Sequence, residues 1–302
     1  MNLALSLSAT GAQTGHLETC PDINGPACKN GPVPDEWHDL KLFFGELRLH
    51  AAYGIARWLS VDLLWSLRVV RVDFQLEDAA TRAPIAPPYG ADIHHRSETL
   101  VGVTDPWLSL RAAEVLGPWA FVFRAGVTFP VGATVPNPFA LGREGLPHEH
   151  IQLGTGTVDP LVGVDVSRGL GRFILSSWLL AKMSLYDNSF HYRAGSQLMA
   201  GANVSSDLWL PRAWFRLGAL VYREEAEHWD GVTETEGNLG RTDVLVDTAL
   251  SFRVAGLWTL TLAAKLPLYS QAVGAQLNTP VIGELTVSRP FDIGRHKTGR
   301  AK

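Results

Sequence analysis

Residues 257–291, LWTLTLAAKLPLYSQAVGAQLNTPVIGELTVSRPF, carry the pattern that decides the fold. In the first arm Trp258, Leu260, Leu262, Ala264 and Leu266 alternate with Thr259, Thr261, Ala263 and Lys265. That is the period of two of a strand with one apolar and one polar face. In the second arm Val281, Leu285 and Val287 share one parity with the aromatic Phe291, while Glu284, Thr286 and Ser288 share the other. A strand that alternates this way and stops on a Phe looks like the closing strand of a transmembrane β-barrel, with one face toward lipid and the other toward a lumen. The competing reading is an amphipathic hairpin of a soluble β-sandwich.

The same alternation recurs along the chain. Leu3, Leu5 and Leu7 oppose Ala4, Ser6 and Ser8 in a first strand, and a polar segment, residues 11–36, follows as a loop. Residues 40–53 set Phe43, Leu47, Leu49 and Ala51 against Glu46, Arg48 and His50, and residues 58–76 set Leu63, Trp65, Leu67 and Val69 against Asp62, Ser66 and Arg68. Further strands are expected over residues 101–113, 119–131, 158–167, 172–185, 194–208, 213–222 and 242–254, for about twelve in all with the closing hairpin.

Three features favour a membrane barrel over a sandwich. Connections alternate between tight turns and long loops, as when one rim faces the periplasm and the other the outside. Trp58, Trp119, Trp209, Trp214 and Trp258 all fall near short turns, which puts them on one rim. An aromatic belt at a membrane interface does this, because indole has an apolar body and a polar N–H. Charges recur mid-strand on the polar parity and hardly ever on the apolar one, where an Arg at mid-membrane would cost roughly 2–4 kcal/mol. The expectation is an all-β chain: a single transmembrane antiparallel up-and-down barrel over residues 1–291, with residues 292–302 as a short basic periplasmic tail.

Bulk composition agrees. Of 302 residues 46% are hydrophobic, yet no run approaches the roughly 18 apolar residues of a membrane helix, so any span is made of strands. A net charge of -4, with 26 basic and 30 acidic residues intermixed, leaves no basic footprint for nucleic acid. The two cysteines, Cys20 and Cys28, lie in CPDINGPAC, a segment full of turn formers. They read as a local disulfide worth roughly 2.5 kcal/mol, or as two free thiols. A disulfide implies an oxidising compartment. The start, MNLALSLSATGA, lacks the basic flank of a secretory signal. Export to an outer membrane needs one, so a signal is expected to have been removed or left out.

Residues 126–132 (GVTFPVG), 153–159 (LGTGTVD), 266–269 (LPLY) and 274–277 (GAQL) resemble the bacterial outer-membrane family of the MetA pathway of phenol degradation. The resemblance implies a Gram-negative outer-membrane barrel, porin-like or a transporter, that passes small, often aromatic or apolar compounds. It supplies no catalytic residues, and the first long loop with its cysteine pair departs from the family.

Inward charges are nearly balanced: Glu46, Asp62, Asp165, Asp243 and Glu284 stand among the acids, Arg48, Arg216 and Lys265 among the bases. Arg68, Asp105, Arg111, Arg124, Asp159, Lys182, Asp247 and Arg253 are expected to line the pore. Facing acidic and basic rows would favour small polar or zwitterionic solutes. Two alternatives stand beside the pore: a packed, salt-bridged lumen, and an anchor whose long loops bind something outside the cell. Expected partners are outer-membrane lipid, a small solute, and the barrel-assembly machinery through the C-terminal strand.

An enzyme is not expected. A hydrolase needs a Ser hydroxyl against an oriented His, and His50 has no neighbouring Ser while His191 meets Ser189 only in a loop. No cofactor is expected. His94, His95, His148 and His150 form a weak metal candidate on two loops of one rim, and Asp22, Asn24 and the acidic residues 224–236 a weaker one for calcium.

Overall fold

The alternation in residues 257–291 becomes the last two strands of a closed antiparallel wall in a computed structural model, which describes residues 1–18, 36–86, 97–144, 146–207, 212–234, 237–272 and 281–292. In chain order the elements are β1 (Asn2–Glu18), β2 (Glu36–Gly54), β3 (Leu59–Asp78), β4 (Glu98–Val103), β5 (Trp107–Leu116), β6 (Trp119–Thr128), α1 (Pro138–Arg143), β7 (Pro160–Leu170), β8 (Phe173–Lys182), β9 (Tyr192–Arg193), β10 (Gln197–Asp207), β11 (Ala213–Glu224), β12 (His228–Trp229), β13 (Arg241–Ala255), β14 (Trp258–Ala272) and β15 (Ile282–Pro290). All but α1, β9 and β12 belong to one sheet of 13 strands. β4 and β5 lie end to end along β3, so the wall has 12 staves. β1 closes the barrel by pairing with both β2 and β15, for example Leu7 opposite Leu47 and Leu285. The Phe291 N–H then donates to the Met1 carbonyl.

Parity sorts the side chains as the sequence implied. Leu5, Leu67, Leu110, Leu175, Leu217 and Leu262 stand exposed on the outer face. Their polar neighbours turn inward, where Ser6 meets Thr286 at 2.7 Å and Ser251 meets Thr261 at 2.8 Å. An outer face of exposed leucine has no stable place in water but fits lipid, and a closed wall leaves no unpaired edge there. No described helix is long and apolar enough to cross a membrane.

Three differences from the sequence reading follow from where lipid ends. First, β1 runs to Glu18 where a loop was expected from residue 11, and it pairs along its length with β2. This hairpin extends past the apolar band, where both faces can be polar: Gln13 donates to Asp39 at 3.0 Å, and Lys41 sits 3.6 Å from Asp39 on the outside. Second, the inner face there turns apolar. Leu40, Val70 and Val72 are buried against Leu42, Phe44, Phe74, Leu100 and Ile151, while Arg71 and Asp73 face outward. Third, Trp58, Trp119 and Trp258 are exposed at the short-turn rim, with Arg168 over Trp119 and Arg289 over Trp258. Trp214, by contrast, pairs opposite Ser251 on the lumen parity and lies under Arg253. Trp209 and the Cys20–Cys28 pair lie outside the described residues.

Residues 101–113 are also not one strand. β3 pairs Leu67 with Val103 but Leu64 with Trp107, so one extra residue is inserted over Thr104-Asp105-Pro106. Such a bulge re-aims a side chain, and here it delivers Asp105 to the root of the loop between β6 and β7. The carboxylate accepts from Val131 N–H at 3.0 Å, Gly132 N–H at 2.8 Å, Thr155 N–H at 2.7 Å and Thr155 Oγ1 at 3.0 Å. A Cβ on Gly154 would fall 2.6 Å from Asp105 Oδ1 and 2.7 Å from the Gly132 carbonyl, so glycine is needed where the two strips cross. The two glycine-rich stretches, residues 126–132 and 153–159, are thus the two halves of one clamp.

Replacing Asp105 with Ala strands these donors, and the loop root should lose about 2–3 kcal/mol. Limited proteolysis should then cut residues 133–152 sooner while heat-shifted gel mobility still reports a closed barrel. Unchanged protection would refute the clamp.

Candidate functional site

The inward face of the wall supplies the only large collection of paired charge among the described residues. Glu46 on β2 accepts from Arg48 on its own strand and from Arg68 across on β3, the latter at 2.9 Å. Asp62 on β3 accepts from Arg111 at 3.1 Å and lies 3.6 Å from His50 Nε2. Further round, Arg216 lies 3.0 Å from Asp247, and Lys265 donates to Glu284 at 3.4 Å. Arg124 on β6 has a looser partner, Asp165 on β7 at 3.9 Å. Each pair joins side chains of one parity on one strand or on neighbours, which is what a pleated wall brings together.

Arg48, His50, Asp62, Arg124, Arg216 and Glu284 of this set line a cavity of about 410 Å3 inside the barrel. Arg48, Arg124 and Arg216 reach it from three separate strands, and Leu64, Trp107 and Leu161 give it an apolar side. Trp107 was not among the expected lumen residues, although its parity with Ser109 and Arg111 shows its direction. Trp178, which lines a second inner recess of about 310 Å3 with Arg124 and Asp165, is marked the same way by Ser176 and Lys182.

Of the residues expected to line a pore, Arg68, Arg111, Arg124 and Asp247 face this interior. Arg253 sits at the short-turn rim over Trp214. Asp105, Asp159 and Lys182 are placed differently. Asp105 is buried in the clamp, and Asp159 is wholly buried at the same loop root, where Thr157 Oγ1 donates to it at 2.7 Å and Lys182 Nζ lies 3.9 Å away. Loop-root packing takes them off the open surface, because the residues that cover them come from distant chain segments.

The long-loop end carries a folded cap. Phe139 of α1, Tyr192 of β9 and Trp229 of β12 pack together, and β9 pairs with β12. Asn137 caps α1 by accepting from Phe139 and Ala140 N–H, and its Nδ2 donates to Asp230 at 2.8 Å. Asn188 Nδ2 donates to the Thr155 carbonyl at 3.0 Å. Three connections are thereby tied into one unit. His148 and His150 stack edge to face with ring centroids 5.0 Å apart. Among the described residues no group of three or more His, Cys, Asp or Glu is gathered as a metal set. His94 and His95 lie outside the described residues, as do Asp22 and Asn24.

Against known proteins, the wall is similar in structure to an outer-membrane channel from Pseudomonas putida F1, with a TM-score of 0.59 and 14% identity over 96% of both chains. The shared property is the fold. Weaker likenesses include the P. putida toluene transporter TodX, with a TM-score of 0.46 and 8% identity over 96% of this chain and 90% of that one. Another is the NanC porin, with a TM-score of 0.45 and 9% identity over 93% and 100%. No family model and no curated protein sequence matches the chain.

Inside the cap, burial first and the nearby Glu224 second push the Glu227 carboxyl above its ordinary range, although Asn238 N–H and Trp229 Nε1 both donate to it at 3.2 Å. A carboxyl raised on folding binds more protons folded than unfolded. Its contribution is therefore full below the ordinary Glu value and fades as pH rises through the folded one. Cap proteolysis should accelerate from about pH 5 to about pH 8 in the native protein and change less in Glu227→Gln. The same pH slope in both would contradict this.

Proposed function

We propose that the chain is a bacterial outer-membrane channel or transporter that passes small molecules through a charged lumen. One observation carries the reading: guanidinium and carboxylate groups from five staves, Arg48, Asp62, Arg124, Arg216 and Glu284, face an internal cavity of about 410 Å3, while the outer wall is apolar. A wall that served only to anchor loops would have no need of open space among its inward charges. The fold shared with a P. putida outer-membrane channel supports the reading. So does the resemblance of the clamp strips to the MetA-pathway barrels, which makes aromatic or small polar solutes the first to try. In this reading β15, with Phe291 directly after it, is the strand offered to the barrel-assembly machinery.

A second reading has its own observation. The cap of α1, β9 and β12 is a built unit tied by side-chain hydrogen bonds, which suits a barrel whose external loops bind a ligand and whose lumen stays shut.

Planar-bilayer recording separates the two. The channel reading expects discrete current steps from the refolded chain. It also expects a shift toward cations on the order of threefold in permeability ratio when Arg68 and Arg124 are both replaced by Ala. Silence from a barrel shown to be closed by gel mobility favours the second reading. Steps with unchanged ion preference remove the charged lumen as the selectivity element.

A further inference from the structure

The lumen cavity is lined by both charged and apolar side chains, and one guanidinium in it is poorly matched. Arg111 and Arg124 stand directly opposite each other on β5 and β6, both facing inward. Like charges in that position repel. Arg111 is compensated by Asp62 at 3.1 Å. Arg48 and Arg216 likewise hydrogen-bond the carboxylates of Glu46 and Asp247. Arg124 makes no hydrogen bond among the described residues; Asp165, at 3.9 Å, is beyond hydrogen-bond reach. Its planar fork of five donors borders the cavity with Arg48 and Arg216, on the stave between those that carry Trp107 and Leu161.

We propose that this cavity is a binding site for a small monocarboxylate with a compact apolar body. The carboxylate sits on Arg124, which makes no hydrogen bond among the described residues and so has its whole fork to offer, and the body packs against Trp107 and Leu161. Arg–carboxylate pairs of this kind are among the stronger and more directional polar contacts. The bound anion also answers the repulsion between Arg124 and Arg111. The two acids nearest this spot leave room for it. Asp62 is engaged by Arg111 and His50, and Asp165 points to the neighbouring recess that Trp178 lines. A volume of about 410 Å3 falls in the range of roughly 300–1,000 Å3 usual for small-molecule sites. The proposal deepens the channel reading by naming a solute class, and it rests on that reading only for the statement that the ligand is cargo.

The test is titration calorimetry on the full chain refolded in detergent, with benzoate and with benzyl alcohol as its uncharged counterpart. Arg124→Gln and Arg124→Lys are measured beside the native protein, and gel mobility checks closure. Arg124→Gln relieves the repulsion with Arg111 and Arg124→Lys leaves the charge as it is, so both variants should fold. Benzoate should bind the native protein at least about tenfold tighter than benzyl alcohol does, about tenfold more weakly to Arg124→Gln, and at an intermediate level to Arg124→Lys. Equal binding of acid and alcohol, or undiminished benzoate binding by Arg124→Gln, overturns the site. Liposome swelling in arabinose, run in parallel on the native protein, keeps the two readings apart. Arg124-dependent benzoate binding without swelling sinks the channel and sustains the site. Swelling without benzoate preference sustains the channel and sinks the site.

Discussion

Backbone hydrogen bonding in a medium without water is the constraint on which the structure depends. A strand in lipid has nothing but other strands to satisfy its N–H and C=O groups, so the wall must close on itself. β1 does this by lying between β2 and β15 in continuous register, with Leu3 to Leu7 reaching both neighbours. Once closed, the pleat leaves each residue only two directions, and the chemistry of each position follows from its medium. Across the apolar band the exposed leucines face out, while Ser, Thr and paired charges face in with a few apolar residues such as Leu64 and Leu161. The closed wall thereby creates the interior in which Glu46, Asp62 and Asp247 can each meet an arginine from another position.

The loops obey a different rule, because beyond the lipid both faces of a strand are wet or covered by protein. There the inner face of β2 and β3 becomes apolar and packs on Ile151, and the cap forms a small soluble-type core around Trp229. Asp105 joins the two regimes. A one-residue bulge turns its carboxylate toward the glycine-rich strips, and four donors from two distant segments converge on it. The loop above the lumen is therefore fastened to the wall itself, so wall geometry and mouth geometry are coupled at that point.

Much of this was legible in residue order. Alternation in residues 257–291 and its repeats upstream named the strands, their direction and their approximate number, because a period of two is a local property. Trp107 and Trp178 could have been read as lumen residues from the parity of Ser109 and Ser176. The clamp was not legible, since parity alone puts Asp105 with Ser109 and Arg111, and the bulge shows only when β3 is paired on both sides. The inversion around Val70 was hidden for another reason: pattern does not say where lipid stops. Arg124 had the right direction, but its weak pairing depends on a distance of 3.9 Å to Asp165, which spacing cannot reveal.

One face of this wall meets lipid and the other an aqueous interior. Spin labels placed singly at Leu67→Cys, Leu110→Cys, Leu175→Cys and Leu262→Cys, and at the inward neighbours Ser66→Cys, Ser109→Cys, Ser176→Cys and Thr261→Cys, test it in reconstituted bilayers. Accessibility is read by spin resonance with oxygen and with a water-soluble nickel chelate. The account predicts that the leucine positions collide with oxygen and the inward positions are shielded from it, with the order reversed for nickel wherever the lumen is wet. Leucine positions as open to nickel as to oxygen would place that face in water and contradict the membrane barrel.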